Sequence, residues 1–225
     1  MPKGKTLWEM LVEAFSSPVE MRYYNPLKAK IGSFLTLEDL DLRDLDFRVK
    51  EIRQYRRHLG DRDYLFVDYV VLARPIGGKE VLGRLRLNPV ENPDPAAGKT
   101  HDALFLKLYD EMPYRYELHQ VVRDTTGLFQ VSEEGKVTAE FHRINNLRTA
   151  YRATVTIIQD LNQDGKVQSG EVQTHEVDYW DYWRDTTNEE GQPVKEFLFV
   201  EMDKETNYFQ IWRGRPIDLQ RAFVV

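Results

Sequence analysis

The 225-residue chain contains no cysteine. Disulfides, thiolate nucleophiles and cysteine-ligated zinc or iron–sulfur centres are thereby excluded. No run comes near the roughly eighteen consecutive apolar residues of a spanning helix, so no transmembrane segment is expected. Basic charge is in the minority, with 31 Lys+Arg against 37 Asp+Glu and a net charge of −6. A nucleic-acid partner is therefore not expected, because tracking a phosphate backbone requires a basic face. There is no Gly-x-Ser-x-Gly elbow, which removes the commonest serine-hydrolase signature. Gly98-Lys99-Thr100 lacks the upstream glycine of a phosphate loop, and Pro95 interrupts the cradle. His58, His101, His119, His142 and His175 form no His-x-His, His-x-x-x-His or His-Glu-x-x-His pair. No asparagine glycosylation acceptor occurs, and no apolar signal segment follows the basic start Met1–Lys5. Together these point to a cytoplasmic, bacterial setting.

What is present is ample apolar and aromatic material, 41% hydrophobic and 12% aromatic, enough to offset chain entropy in a folded core. Thr6 and Glu9 make a capping box, and Leu7, Trp8, Leu11, Ala14 and Phe15 fall on one helical stripe. The spacing predicts one N-terminal amphipathic helix. Glu9 and Glu13 on its polar face disfavour an anionic membrane surface. Strand texture follows: Phe47–Val49, Tyr64–Leu72, Val81–Leu87, Val137–Ile144, Tyr151–Gln159, Val172–Trp183, Val194–Glu201 and Tyr208–Arg213 are rich in β-branched and aromatic residues. Ala103–Tyr109 fits helix or strand, and a short helix is placed near residues 114–123. Turn signals at Glu134-Gly135, Asp164-Gly165 and Glu190-Gly191 separate the later strands.

The fold class expected is mainly β: antiparallel sheets or a meander of about ten strands. Residues 88–98 hold three prolines and are the best candidate boundary. They divide the chain into a helix and lead-in (1–27), a first β lobe (28–92) and a second β lobe (100–225). A faint duplication supports two similar lobes. Tyr64-Leu-Phe-Val-Asp68 and Phe197-Leu-Phe-Val-Glu201 share an aromatic-Leu-Phe-Val-acid pattern; coincidence among strand-forming residues is the plain alternative.

One motif carries chemistry. Residues 160–171 place oxygen donors at alternating positions: Asp160, Asn162 and Asp164, the Lys166 carbonyl, Gln168, and Glu171 as the twelfth-position carboxylate. Gly165 permits the sharp turn, and Val167 anchors the loop. This segment resembles the calcium loop of the EF-hand family, and the resemblance implies a calcium ion with Glu171 bidentate. It covers twelve residues only. The flanks Ala153–Ile158 and Val172 onward alternate as strands rather than helices. Two readings stay open: a structural calcium loop at a hairpin tip, or a solvated turn shaped by Asp164-Gly165.

The densest aromatic run is Tyr179-Trp180-Asp-Tyr182-Trp183. On a strand, Tyr179 and Trp183 face one way, and Trp180 and Tyr182 the other. With Trp212 they make a candidate surface for a protein partner, a second copy or a small ligand, against the plain alternative of two buried faces. The function expected is a non-enzymatic binding or scaffold protein carrying a calcium-type hairpin loop. The alternatives are a hydrolase-like enzyme using dispersed carboxylates and histidines, and a membrane-surface adaptor using the first helix.

Overall fold

The computed structural model describes residues 22–37, 42, 45–59, 62–75, 78–94, 99–144, 150–162, 167–168, 171–188, 190–219 and 222–224. The expected N-terminal helix lies outside them, and with it the membrane-adaptor reading. So does the centre of the calcium-type loop, including Asp164 and Lys166. The described elements are β1 (Phe34–Leu37), β2 (Asp46–Leu59), β3 (Arg62–Ala73), β4 (Val81–Asp94), β5 (Lys99–Pro113), α1 (Tyr116–Arg123), β6 (Leu128–Glu133), β7 (Lys136–Arg143), β8 (Tyr151–Gln159), β9 (Val172–Thr187), β10 (Pro193–Asp203), β11 (Tyr208–Ile217) and β12 (Ala222–Val224). Among the described residues no helix is long and apolar enough to cross a membrane.

The protein is mainly β, and the sheet closes. The order β2-β3-β4-β5-β11-β10-β9-β8 returns to β2, with every pairing antiparallel. The closing ladders join strands far apart in sequence: β2 to β8, with Tyr55 opposite Val155, and β5 to β11, with Leu106 opposite Gly214. An eight-stranded barrel has an interior that its own side chains can just fill, or that can hold one small ligand. β1 and β12 extend the sheet beyond β2, and the β6–β7 hairpin attaches to β9.

The two-lobe expectation is corrected here. β4 and β5 pair from Gly83–Lys107 to Pro89–His101 and again at Asp94–Lys99, so the two stretches expected as lobes share one barrel wall. The proline cluster sits where this ladder loses register, between Pro89 and Asp94. Proline removes a ladder donor and is tolerated at such irregularities. The duplicated pattern survives in another role. β3 and β10 lie four strands apart around a ring of eight, on opposite walls. Each sends its second aromatic and its acid inward, Phe66 and Asp68 from β3, Phe199 and Glu201 from β10.

Two apolar layers coat the outside. Residues 22–37 strap one wall, where Ala29, Leu35 and Leu37 meet Phe47, Val49, Val67, Tyr69 and Leu85. The Tyr69 hydroxyl donates to Asn25 Oδ1 (2.7 Å) and accepts from the Leu27 N–H (3.1 Å), which pins the strap. On the opposite wall, α1 and the β6–β7 hairpin cover Trp180, Tyr182, Leu198, Val200 and Phe209. α1 is short but amphipathic, with Val122 buried and Glu117 in the first turn, where the helix dipole favours an acid. Because their outer faces are covered as well, β3 and β9 are buried on both sides over their central residues.

Candidate functional site

Strand alternation dictates what enters the barrel. The inward positions are Arg53, Tyr55 and Arg57 on β2, Asp68 on β3, Arg84 and Arg86 on β4, Tyr179 and Asp181 on β9, Glu201 on β10, and Gln210 and Trp212 on β11. Apolar neighbours fill the rest, in one cluster around Phe66, Val155 and Tyr179 and a second around Leu104, Leu106, Phe199 and Trp212. Four arginines inside a barrel demand acidic partners, since a desolvated charge must be paired.

At one end the Glu201 carboxylate is fully paired, while Arg84 Nε and Trp212 Nε1 beside it are buried and make no hydrogen bond within the protein. Glu201 Oε1 accepts from Arg53 Nη1 (3.2 Å) and Arg84 Nη2 (3.2 Å), and its Oε2 accepts from Arg84 Nη1 (3.1 Å) and the Tyr55 hydroxyl (2.8 Å). A carboxylate has about four lone-pair sites, so Glu201 is saturated. Burial alone would raise its pKa, but attraction to Arg84 and Arg53 and the hydrogen bonds from Arg84 and Tyr55 outweigh it and hold the carboxyl at about 2. Gln210 Oε1 takes further bonds from Arg84 (2.6 Å) and Arg53 (3.3 Å), and the Arg53 Nε–H pairs with Glu51. The Arg84 guanidinium lies over the Trp212 ring at 3.9 Å, which is attractive for a cation.

In the middle, Arg86 grips Asp68 with two parallel bonds of 2.8 and 2.9 Å. Its flat guanidinium is stacked between Phe66 (4.7 Å) and Phe199 (4.4 Å). The fork geometry of arginine suits both contacts.

Toward the other end the pairing fails. Arg57 Nη1 stands 4.0 Å from Asp181 Oδ2, too far for a hydrogen bond. Asp181 Oδ1, the Tyr179 hydroxyl and Arg57 Nε are buried and make no hydrogen bond within the protein. Arg57 instead lies over the Tyr151 ring at 3.2 Å. Burial dominates at Asp181 and outweighs the attraction of Arg86 and Arg57, so its carboxyl is pushed up to about 6. The Tyr179 hydroxyl is also raised, by burial and by Asp181, and stays a donor. These groups form the floor of a cavity of about 950 Å³ that opens at the mouth of the barrel. Its walls include Tyr64, Phe66, Leu104, Phe197 and Phe199. At the rim, the Tyr24 hydroxyl and Thr100 Oγ1 hold the two ring nitrogens of His101, whose pKa burial lowers.

The aromatic surface expected from the sequence is corrected by this geometry. Tyr179, Trp180, Tyr182 and Trp212 are 3%, 2%, 0% and 1% exposed, so they present no platform to a partner. Alternation splits the run as the strand period requires: Trp180 and Tyr182 pack outward beneath α1, while Tyr179 points into the barrel. Trp212 is interior, under Arg84. Trp183 alone is partly exposed, with the Lys195 ammonium 4.1 Å from its ring. Of the expected surface, Tyr179 is the residue that reaches the cavity.

Two groups of residues could hold a cation. In the calcium-type loop, Glu171 is buried and turns its carboxylate into the loop. Its two oxygens accept the Asn162 and Gln168 N–H groups at 3.0 and 2.8 Å. These bonds close the described part of the loop and are compatible with both readings of it, an ion site or a solvated turn. At the opposite mouth, β9 and the turn after β10 bring His175, Asp203 and Glu205 together, with ligand atoms within 4.8 Å of one another. The turn explains this second group: Asp203 Oδ1 accepts the Glu205 and Thr206 N–H groups, and its Oδ2 pairs with His175 Nδ1 at 2.6 Å.

Compared with known proteins, the chain matches no family model, no curated protein and no solved structure. The sequence reading had left out the residues that matter most, Arg57, Arg86, Asp68, Asp181 and Glu201. Two signals for them were present. Arg84-Leu-Arg86 alternates charge with apolar residues inside a strand otherwise built for a core, and the duplicated pattern ends on an acid in each copy.

Proposed function

We propose that the protein is a non-enzymatic binding protein whose barrel takes one small molecule through the mouth floored by Arg57, Tyr179 and Asp181. The observation that carries this reading is an aromatic-walled cavity of about 950 Å³ with unpartnered buried polar atoms at its base. Small-molecule sites are concave, mostly apolar, and carry a few convergent polar groups. Leaving such groups unmatched costs stability. A protein with its other interior acids fully paired has a reason to leave these open if a ligand completes them.

The neutral aromatic probe 1-aminoanthracene tests the reading. Its fluorescence should rise saturably at one probe per chain, and Leu104→Trp, which fills the cavity from β5, should abolish the rise. A flat titration with the native protein, or one unaffected by Leu104→Trp, overturns it.

The enzyme reading draws on one observation, a carboxyl poised at about 6 beside a tyrosine, which suits a general acid or base. One histidine, His101, lines the rim of the same cavity; His119 lies on α1 against Trp180 and Phe209, and His175 is at the far mouth. The calcium reading is part of the same proposal and is structural. A cation would neutralise the acidic loop between β8 and β9, next to the strands that close the barrel.

A further inference from the structure

The floor of the cavity specifies more than an apolar ligand. Its charges balance locally. Arg86 is matched by Asp68 through two bonds, and the positive Arg57 faces the negative Asp181 across 4.0 Å. An anionic head group would meet Asp181 as a like charge. A cationic head group would meet Arg57 and Arg86. Either ion would also lose its hydration in a cleft that offers no full counter-charge.

The unpartnered hydrogen-bonding atoms, each almost fully buried, are of both kinds. Asp181 Oδ1 can only accept while the carboxyl is ionised, and the Tyr179 hydroxyl and Arg57 Nε–H donate. Tyr179 and Asp181 are two residues apart on β9, so their side chains leave the same face of one strand, side by side. A ligand that pairs with both must present a donor and an acceptor along one edge. The walls, supplied by Tyr64, Phe66, Phe197 and Phe199, favour flat ring systems that stack. Phe66 and Phe199 are themselves held by the Arg86 plate between them.

We infer that the ligand is a neutral, planar heteroaromatic molecule with a lactam or imide edge, whose N–H donates to Asp181 Oδ1 and whose carbonyl accepts from Tyr179 and Arg57. This rests on the small-molecule reading proposed above, and it adds the chemical class of the ligand. Neutral ring lactams offer a donor and an acceptor on neighbouring ring atoms, with no net charge to desolvate.

A matched pair of probes tests it on the full chain: lumichrome, a flat tricycle with an imide edge, and 1,3-dimethyllumichrome, which keeps the rings and carbonyls but has both ring N–H groups methylated. Binding is read by probe fluorescence at pH 7.5. Lumichrome should bind at least about tenfold more tightly than the dimethyl compound, because the methylated edge leaves a buried acceptor unpaired. Tyr179→Phe should weaken lumichrome binding severalfold. In Asp181→Ala the preference between the two probes should fall below threefold; the native protein with the two probes decides the matter if that variant does not fold. Equal affinity for both probes, alongside saturable 1-aminoanthracene binding, overturns the lactam inference and leaves the binding barrel standing. Tighter binding of the anion 1-anilinonaphthalene-8-sulfonate than of lumichrome does the same. Failure of 1-aminoanthracene itself removes the binding reading and this inference together.

Discussion

Asp181 should make the native protein less stable at neutral pH than at mildly acidic pH, and the size follows from its surroundings. Burial pushes its carboxyl up to about 6 in the fold, from an ordinary aspartate value of 3.8. The facing groups are Arg57 from β2, Asp68 from β3, Arg86 from β4, Tyr179 from β9 and Glu201 from β10. A raised acid pKa means that the folded chain holds the proton more tightly than the unfolded chain. Stability therefore falls as pH rises from about 4 to 6, and the full cost is present above pH 6. A difference of about two pKa units corresponds to about 3 kcal/mol at neutral pH. About half of this is recovered between pH 7.5 and 5.0, a range that stops short of the window in which Glu201 begins to protonate. In Asp181→Asn the ionisation is gone. Native and variant proteins should be melted at pH 5.0 and 7.5, and the difference of differences taken. The histidines titrate alike in both and cancel. The native protein should gain roughly 3–6 °C relative to the variant on going to pH 5.0. Parallel pH profiles would show that the carboxyl is not held as the barrel places it, and would remove the argument built on its open oxygen.

Three further outcomes follow from the same structure. Glu201→Gln takes the carboxylate from two buried arginines and a tyrosine. Urea unfolding should show a loss of about 3–5 kcal/mol, and a loss under about 1 kcal/mol would mean that the cluster is solvated. Gly214→Ala should prevent folding or reduce soluble yield sharply, because a Cβ there would lie 1.9 Å from the Phe105 carbonyl oxygen across the β5–β11 closure; normal yield with a native melt would deny that close approach. Calcium at millimolar concentration, and not magnesium, should raise the melting temperature, with the gain lost in Asp160→Ala and Glu171→Gln; an unchanged melt means the loop is only a turn.

The strands themselves were largely legible in the sequence. Tyr151–Gln159 alternates and is β-branched, and it is β8 to the residue. The helix near 114–123 appears as α1, marked by polar spacing around Leu118 and Val122. What period two cannot say is which face becomes the inside. Past Val49 the stretch 50–59 holds mostly charged and polar residues, Arg53 and Arg57 among them, and such a stretch looks like exposed surface rather than a barrel strand. Closure reverses that reading, and closure depends on β2 meeting β8 about a hundred residues later. Local patterns carry no record of such a pairing. The same ambiguity misled the aromatic run on β9, where both faces are buried under different covers. β1, β6 and β12 were missed because they are short and draw their stability from the neighbours they extend.

The interior arrangement also says why the open end should be the functional one. Both halves of the barrel contain acids buried among arginines, so burial of charge by itself does not distinguish them. What differs is saturation. Glu201 accepts four hydrogen bonds and is held at about 2, well below the usual carboxylate range. Asp181, on the neighbouring strand β9, has Arg57 at 4.0 Å and an Arg86 already gripped by Asp68, and its carboxyl rises to about 6. A sequence selected only for stability could close the second site as it closed the first, by bringing Arg57 onto Asp181 or by replacing both with apolar residues, which is often neutral or favourable. Instead Arg57 is drawn aside onto Tyr151, and the acid faces an aromatic cleft wide enough for a small molecule. Local destabilisation of this kind is tolerated where binding restores what folding leaves incomplete; under the proposed binding function the restored element would be a donor facing Asp181 Oδ1.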